Sequence, residues 1–294
     1  MNFPPELSIV TVNYHGLKDT CGLIESLKKN IHALTYEIII VDNASPNNEA
    51  LFILKLYPDV KVIPSKKNLG FAGGNNLGMK QAQGKYILLI NNDTYVEEDS
   101  FSFLIDRLNS NEKIGMVCPL IRYAEGNRPI QFFGYTPLTP ITLRNKGLYH
   151  GSDIKDIDLK AHITPYAHGA AMLFRKDLLE KVGYMPEIYF LYYEELDWSV
   201  QITRGGYEIW VEPQCTIFHK ESRSTGKESP LRCFYMTRNR LLFAKRNRKS
   251  ILRLLAYIYQ IIIVAPGNCI RYITKKRIDL ISATLQGITA FFQL

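Results

Sequence analysis

Cysteine is scarce in this sequence and never paired. Cys21, Cys118, Cys215, Cys233 and Cys269 stand far apart in a chain of 294 residues, with no C-x-x-C spacing and an odd total. That excludes a zinc knuckle and a disulfide framework, and it fits a reducing cytosol. No basic segment precedes the first apolar run: MNFPPELSIVTVNYHG opens with two prolines and a glutamate, unlike a secretory leader. No repeat or low-complexity segment interrupts the chain, and a hydrophobic content of 46% gives no sign of disorder. Long apolar runs are missing too. Residues 254–265 are 12 in number, with only Gln260 strongly polar, and are followed by Pro266-Gly267. A membrane crossing takes about 20 apolar residues, so this run is expected to form a docked or interfacial helix.

Acidic residues are what the C-terminal quarter lacks. Residues 219–294 hold 3 acidic and 15 basic side chains, whereas residues 1–218 hold 25 and 21. A basic tail on a mildly acidic body attracts phosphate, either on nucleic acid or on anionic lipid, and composition does not choose between them.

Within the body, residues 7–12 (LSIVTV) and 36–41 (YEIIIV) are short, β-branched and almost wholly apolar, as parallel strands covered on both faces are. Leu23, Leu27, Ile31 and Leu34 recur between them at helical spacing, which makes the opening a β-α-β unit. A weaker strand at 60–64, a helix at about 74–82 and a strongly apolar strand at 86–90 (YILLI) continue the alternation. The expected fold class is α/β, an open and mainly parallel sheet whose ligands lie beyond the carboxyl ends of the strands. Asn13, then 42–45 (DNAS), Asn68 and 91–93 (NND) follow the four strands and should converge on one crevice. Residues 121–165 are broken by glycine and proline into an extended loop region with short strands. A strand near 170–174, helices at 176–182 and 195–204 and a strand at 208–211 complete the body, and Ser229-Pro230 opens a tail helix.

Four stretches in order resemble the family 2 glycosyltransferases with the GT-A fold, especially the rhamnosyltransferases of bacterial polysaccharide and O-antigen assembly. They are SIVTVNY with IIIVDNAS; NLGFAGGNNLGMKQAQGKYILLINNDT; GAAMLFRKDLLEKVGYMPEIYFLYYEELDW; and RGGYEIWVEPQCTIFHKESRSTGK. The resemblance spans residues 6–248 and implies inverting transfer of one sugar from a nucleotide-diphosphate donor to a hydroxyl of a glycan or lipid-linked glycan. Rhamnose on thymidine diphosphate is the favoured donor, with uridine-diphosphate sugars as competitors. The implied division is a catalytic domain at 1–228, its nucleotide half at 6–120 and its acceptor half at 121–228, followed by a basic helical tail at 229–294.

The same resemblance assigns Thr11, Asn13, Asp42, Asn68, Gly73 and Asn92 to the nucleotide. Gly70, Gly73 and Gly74 are expected to let backbone approach the donor where a helix N-terminus favours anions. They follow the third strand and so do not form the dinucleotide fingerprint, which follows the first. Asp93 takes the last position of the family's DXD motif and His219 the place of a second ligand, for Mg²⁺ or Mn²⁺. One carboxylate suits an ion that takes many oxygen ligands from phosphate and water, and imidazole suits Mn²⁺. Single displacement needs one carboxylate to accept the acceptor's proton. Glu195 stands in that place, where aspartate is usual, with Glu194 and Asp197 as alternative bases or acceptor ligands. His168 and Trp198 would border the acceptor with them, and Arg223 and Lys227 would clamp the diphosphate.

A nucleotidylyltransferase is the enzymatic rival, but it would place a glycine-rich basic loop where this chain has Asn13-Tyr14-His15-Gly16. An inactive sugar- or nucleotide-binding homologue is the other alternative. With basic clusters at 245–249 and 271–277 flanking the apolar run, the tail is expected to hold the protein peripherally on an anionic inner membrane leaflet, without nucleic acid.

Overall fold

Burial on both faces organises the N-terminal half of the molecule, whose computed structural model describes residues 4–220 and 228–294. Strands β1 (Leu7–Asn13), β2 (Tyr36–Asp42), β3 (Lys61–Pro64) and β4 (Tyr86–Ile90) alternate with helices α1 (Leu17–Asn30), α2 (Glu49–Leu56) and α3 (Gly70–Met79). They pair in parallel in the order β3-β2-β1-β4. All five residues of β4 are buried, each large apolar side chain contributing roughly 1.5–3 kcal/mol of transfer free energy.

Beyond β4 the sheet becomes mixed. The chain runs through β5 (Thr94–Tyr95), α4 (Phe101–Asn109), β6 (Ile114–Tyr123), β7 (Ile130–Phe132), β8 (His162–Ile163), β9 (Ala171–Arg175), α5 (Leu178–Val182), α6 (Glu194–Arg204) and β10 (Glu208–His219). The path continues β4-β9-β6-β10-β5, with β9 antiparallel to both neighbours and β10 parallel to β6. In this half, β6 is a long strand that lacks alternation because its first eight residues are all buried. Its partner β10 runs on through Cys215 to His219, past the segment at 208–211 that the sequence marks as strand. All five cysteines are unpaired.

The tail is helical throughout: α7 (Pro230–Asn247), α8 (Ser250–Ile258), a wide i→i+5 turn at Tyr259–Val264, α9 (Ala265–Thr274) and α10 (Ile278–Phe292). Ser229 caps α7 by accepting the amide of Arg232, and Pro230 occupies the first turn, where a missing N–H costs nothing. Pro266-Gly267 does not stop the helix, contrary to expectation. A proline ring crowds the carbonyl four residues back, here that of Ile262, and the wide turn at that point lets the chain continue. The result is one helix of 25 residues, Ser250–Thr274, largely unburied and long and apolar enough to cross a membrane. The twelve-residue estimate of the sequence therefore falls short. Close packing ties α10 to α7, since a Cβ on Gly287 would meet the carbonyl oxygen of Phe234 at 2.7 Å.

Candidate active site

Sheet register creates the centre of the site. The end of β10 pairs antiparallel with β5, setting His219 opposite Thr94, the residue after Asp93. Asp93 Oδ1 and His219 Nε2 consequently lie 3.1 Å apart, both largely buried. The other ring nitrogen, Nδ1, is 2.9 Å from Gln131 Oε1 on β7. An amide oxygen only accepts, so the contact with Gln131 asks Nδ1 to donate and orients the ring with Nε2 toward Asp93. Gln131 sits in the irregular stretch of the sequence, and no local pattern marks it.

Around this pair opens a cavity of about 380 Å³, walled by Asn68, Asn92, Asp93, His168, Glu194, Glu195 and His219 together with Asn43, Tyr135, Tyr192 and Arg232. Asn43 pins the loop after β3, accepting the amide of Leu69 and donating to Asn68 Oδ1 and the carbonyl of Gly70. Asn92 is held by Thr20 Oγ1 at 3.0 Å. Burial pushes the His168 imidazole down to about 3, and the nearby His219 and His150 rings add to this. His168 is thus neutral, with Nδ1 accepting from the Ala170 amide and Nε2–H left to donate.

Two carboxylates stand side by side where α6 begins. Burial raises Glu195 to about 7 against the opposing pull of backbone amides at the helix start. Burial, then the neighbouring Glu195, holds Glu194 well above the ordinary carboxylate range. Among the described residues Glu194 Oε2 has no hydrogen-bond partner.

The turn that presents these carboxylates is strained. Phe190, Tyr192 and Tyr193 have φ of 65°, 69° and 78°, a region that costs non-glycine residues on the order of 1–3 kcal/mol each. The tail compensates. Asn239 Nδ2 faces the carbonyls of Tyr189, Leu191 and Tyr192 at 2.7–3.0 Å, and Arg238 donates to those of Ile188 and Tyr189. Gly70 completes the clamp, because its φ of +72° and the Phe190 carbonyl 2.1 Å from any Cβ there leave room for no side chain.

Several residues expected at the site lie elsewhere. Thr11 is fully buried in β1 and does not reach the cavity wall. Asn13 and Asp42 sit in a buried network: Asn13 Nδ2 donates to Asp42 Oδ1, Ser45 Oγ and Glu49 Oε2, and Asn13 Oδ1 accepts from Thr20. They brace the loop after β2 and do not line the cavity. Gly73 serves packing inside α3, where a Cβ would meet Leu69 Cβ at 2.8 Å. Asp197 is consumed by the tail, accepting from Asn247 Nδ2 at 2.9 Å and from Arg246 Nε. Trp198 is fully buried, edge-on to Phe174 and donating to the Gly183 carbonyl, so no sugar reaches its face. Arg223 and Lys227 lie outside the described residues.

With this geometry in view, similarity to known proteins becomes informative. Residues 8–183 match the profile of "Glycosyl transferase family 2". The low-salt glycan biosynthesis hexosyltransferase Agl10 of Haloferax volcanii is 26% identical over 96% of this chain and 89% of its own length. The poly-beta-1,6-N-acetyl-D-glucosamine synthase of Staphylococcus aureus is 28% identical over 65% of this chain, which spans 45% of that larger protein. Among solved structures, a mannosyltransferase from Pyrobaculum calidifontis in complex with GDP-Man and Mn²⁺ superposes with a TM-score of 0.59 at 14% identity. It covers 98% of this chain and 88% of its own. S. aureus TarS 1-349 in complex with UDP-GlcNAc gives 0.58 at 17% identity, covering 98% and 81%. The fold is GT-A, and the chain belongs to glycosyl transferase family 2.

Proposed function

We propose that this enzyme is an inverting, metal-dependent glycosyltransferase that moves one sugar from a nucleotide diphosphate to a hydroxyl of a glycan or lipid-linked glycan. The observation that carries the reading is the common cavity of Asp93, His219 and Glu195. Two ligands on adjacent corners of an octahedral Mg²⁺ site, each about 2.1 Å from the ion, are about 3.0 Å apart. The 3.1 Å between Asp93 and His219 fits that arrangement, and Mn²⁺ takes the same octahedral oxygen and nitrogen set. Among the described residues no cluster of three His, Cys, Asp or Glu side chains surrounds them, which suits an ion completed by donor phosphates and water. When bound, the cation offsets the charge of the departing nucleoside diphosphate.

The remaining work falls to side chains. Glu195 takes the proton of the acceptor hydroxyl as its oxygen attacks the anomeric carbon. Glu194, whose burial favours its protonated form, stays beside it, and His168 borders the same space. Asn68 and Asn92 flank the donor. The sequence resemblance favours rhamnose on thymidine diphosphate, and the hexosyltransferase relative favours a hexose; a panel of nucleotide sugars with Mn²⁺ separates them by thermal shift. Transfer from the stabilising donor should disappear in Asp93→Asn and with EDTA. Undiminished transfer by Asp93→Asn would overturn the metal assignment.

The tail reads as a peripheral membrane element. Ile262, Ile263, Ile270 and Ile273 are each more than half exposed on the 25-residue helix. Its opposite side carries Gln260, Asn268 and Arg271 toward α7, which bears Arg232 and Arg240. A full crossing would draw these cations into hydrocarbon, so we favour a helix lying in the interface with the basic clusters at 245–249 and 271–277 at head-group level.

A further inference from the structure

The Glu195 cavity continues beneath the tail. A second space of about 660 Å³ shares Tyr135, Tyr192, Glu195 and Arg232 with it and adds Arg144 and Arg240. A third, of about 250 Å³ between α7, α9 and α10, shares Arg232, Met236, Arg240, Val264 and Asn268 with the second and adds Arg271. Arg232 borders all three, so the spaces adjoin one another in a row from the carboxylates to the apolar tail helices.

Cations along this row are poorly neutralised. Among the described residues none of Arg144, Arg232, Arg240 and Arg271 forms an ion pair with a carboxylate. Arg240 donates Nε to Tyr193 Oη at 2.7 Å and Nη1 to Gln260 Oε1 at 3.5 Å, both neutral acceptors. The wide turn at Tyr259–Val264 carries Gln260, whose Nε2 is anchored on the Thr142 carbonyl. Arg232 lies over the Tyr192 ring, and its guanidinium makes no hydrogen bond to a described residue. The acidic groups lining the three spaces are Asp93, Glu194 and Glu195, gathered at the first cavity, and Glu228, which is already paired with Lys275. Guanidinium groups held in a groove without carboxylate partners focus positive potential and match the geometry of phosphate oxygens. Beyond them Val264, Ala265, Leu280 and Ile288 make the inner end apolar.

We propose that this groove binds the acceptor through a phosphate or diphosphate joining its sugar to a lipid, with Arg232 and Arg240 on the phosphate and the chain of the lipid leaving along α9 and α10. The proposal rests on Glu195 marking the acceptor end of the cavity. It selects among the acceptors open to the enzyme: an anionic, lipid-linked one and not a neutral glycan.

Titration of the full chain with geranyl diphosphate, geraniol and inorganic pyrophosphate in EDTA tests it, since chelation removes any ion that could hold a diphosphate at Asp93 and His219. Geranyl diphosphate should bind at least tenfold more tightly than either control. Arg232→Ala and Arg240→Ala should each weaken it by tenfold or more, whereas Asp93→Asn and Glu195→Gln should not. Arg240→Lys, which keeps the charge, should recover part of the loss and guards against a folding defect. Equal binding of the three probes, or a loss confined to Asp93→Asn, would overturn the proposal. Flotation on phosphatidylcholine vesicles with and without phosphatidylglycerol distinguishes the source of the phosphate. The Arg232→Ala/Arg240→Ala double variant should float like the parent. Lost flotation with intact geranyl diphosphate binding would assign the arginines to lipid head groups and overturn it too. Transfer persisting in Glu195→Gln would instead remove the base assignment, leaving these binding results readable by themselves.

Discussion

At Glu195 the same burial that suits the proposed base makes an unstable ion. A carboxylate raised to about 7 is protonated through the acid range and becomes a proton acceptor only as the pH passes that value. Turnover at saturating substrate should therefore rise with unit slope on a logarithmic scale up to about pH 7 and then level. Glu195→Gln should lose about 10²–10⁴-fold in kcat, the range expected for general-base catalysis. Stability runs the other way. Between the unfolded value near 4.5 and the folded value near 7 the native state binds more protons, so this group's contribution falls as pH rises through that window. Glu195→Gln should melt higher than the parent at pH 8 and show little difference at pH 4. A melting temperature lowered at pH 8 would contradict the burial argument. Gln131 permits a separate prediction. It touches His219, the proposed metal ligand, and outer partners of metal-binding histidines typically matter 10–100-fold, so on that assignment Gln131→Ala should raise the Mn²⁺ concentration needed for half-maximal activity by about that factor. An unchanged metal dependence would show that the imidazole needs no such support.

Among the elements, the strained turn before α6 and helix α7 act as one unit. Positive φ at Phe190, Tyr192 and Tyr193 has no local remedy in a sequence of bulky residues, and the carbonyl contacts of Asn239 supply a distant one. Asn239→Ala leaves those buried carbonyls short of a donor, at about 1–3 kcal/mol, and frees the turn to relax. The expected result is a fall in kcat of tenfold or more with the donor KM little changed, because the donor side of the cavity is held by β4, β10 and Asn43. A loss confined to thermal stability, with kcat intact, would reduce Asn239 to a packing role. This coupling also shows which parts of the molecule are legible in the sequence. Strands β1, β2 and β4 announce themselves because a doubly covered strand needs an unbroken apolar run, and Asp93, Glu195 and His219 stand in motifs. By contrast β6 contains Pro119 and no alternation, and Asp197 and Trp198 share a helix with Glu195 while facing α7 and the core. Helical spacing gives a residue's direction relative to its neighbours but not what each direction meets. The network of Asn13 and Asp42 is equally hidden, since its partner Glu49 belongs to a helix whose packing no local pattern encodes.

For the molecule as a whole, the proposed membrane attachment draws on the split between an acidic body and a basic, apolar-faced tail. On that proposal the fifteen basic side chains in residues 219–294 attract an anionic surface from about one Debye length, roughly 8 Å at physiological salt, and the exposed isoleucines then hold the protein there. The electrostatic and hydrophobic contributions then separate experimentally. Added salt should weaken flotation on phosphatidylglycerol-containing vesicles without abolishing it. Ile262→Asp with Ile263→Asp, two exposed positions, should lower vesicle affinity by about 100-fold or more, given roughly 1.5–3 kcal/mol per buried isoleucine. The same variant should keep its donor-dependent thermal shift, because the described tail residues that line the cavity, Leu231 and Arg232, belong to α7. Alkaline carbonate should strip the parent protein from membranes, as it does a helix lying in the interface. Retention in the pellet would mean that the 25-residue helix crosses the bilayer, and the arginines of α7 would then have to be met by counter-ions or water within it.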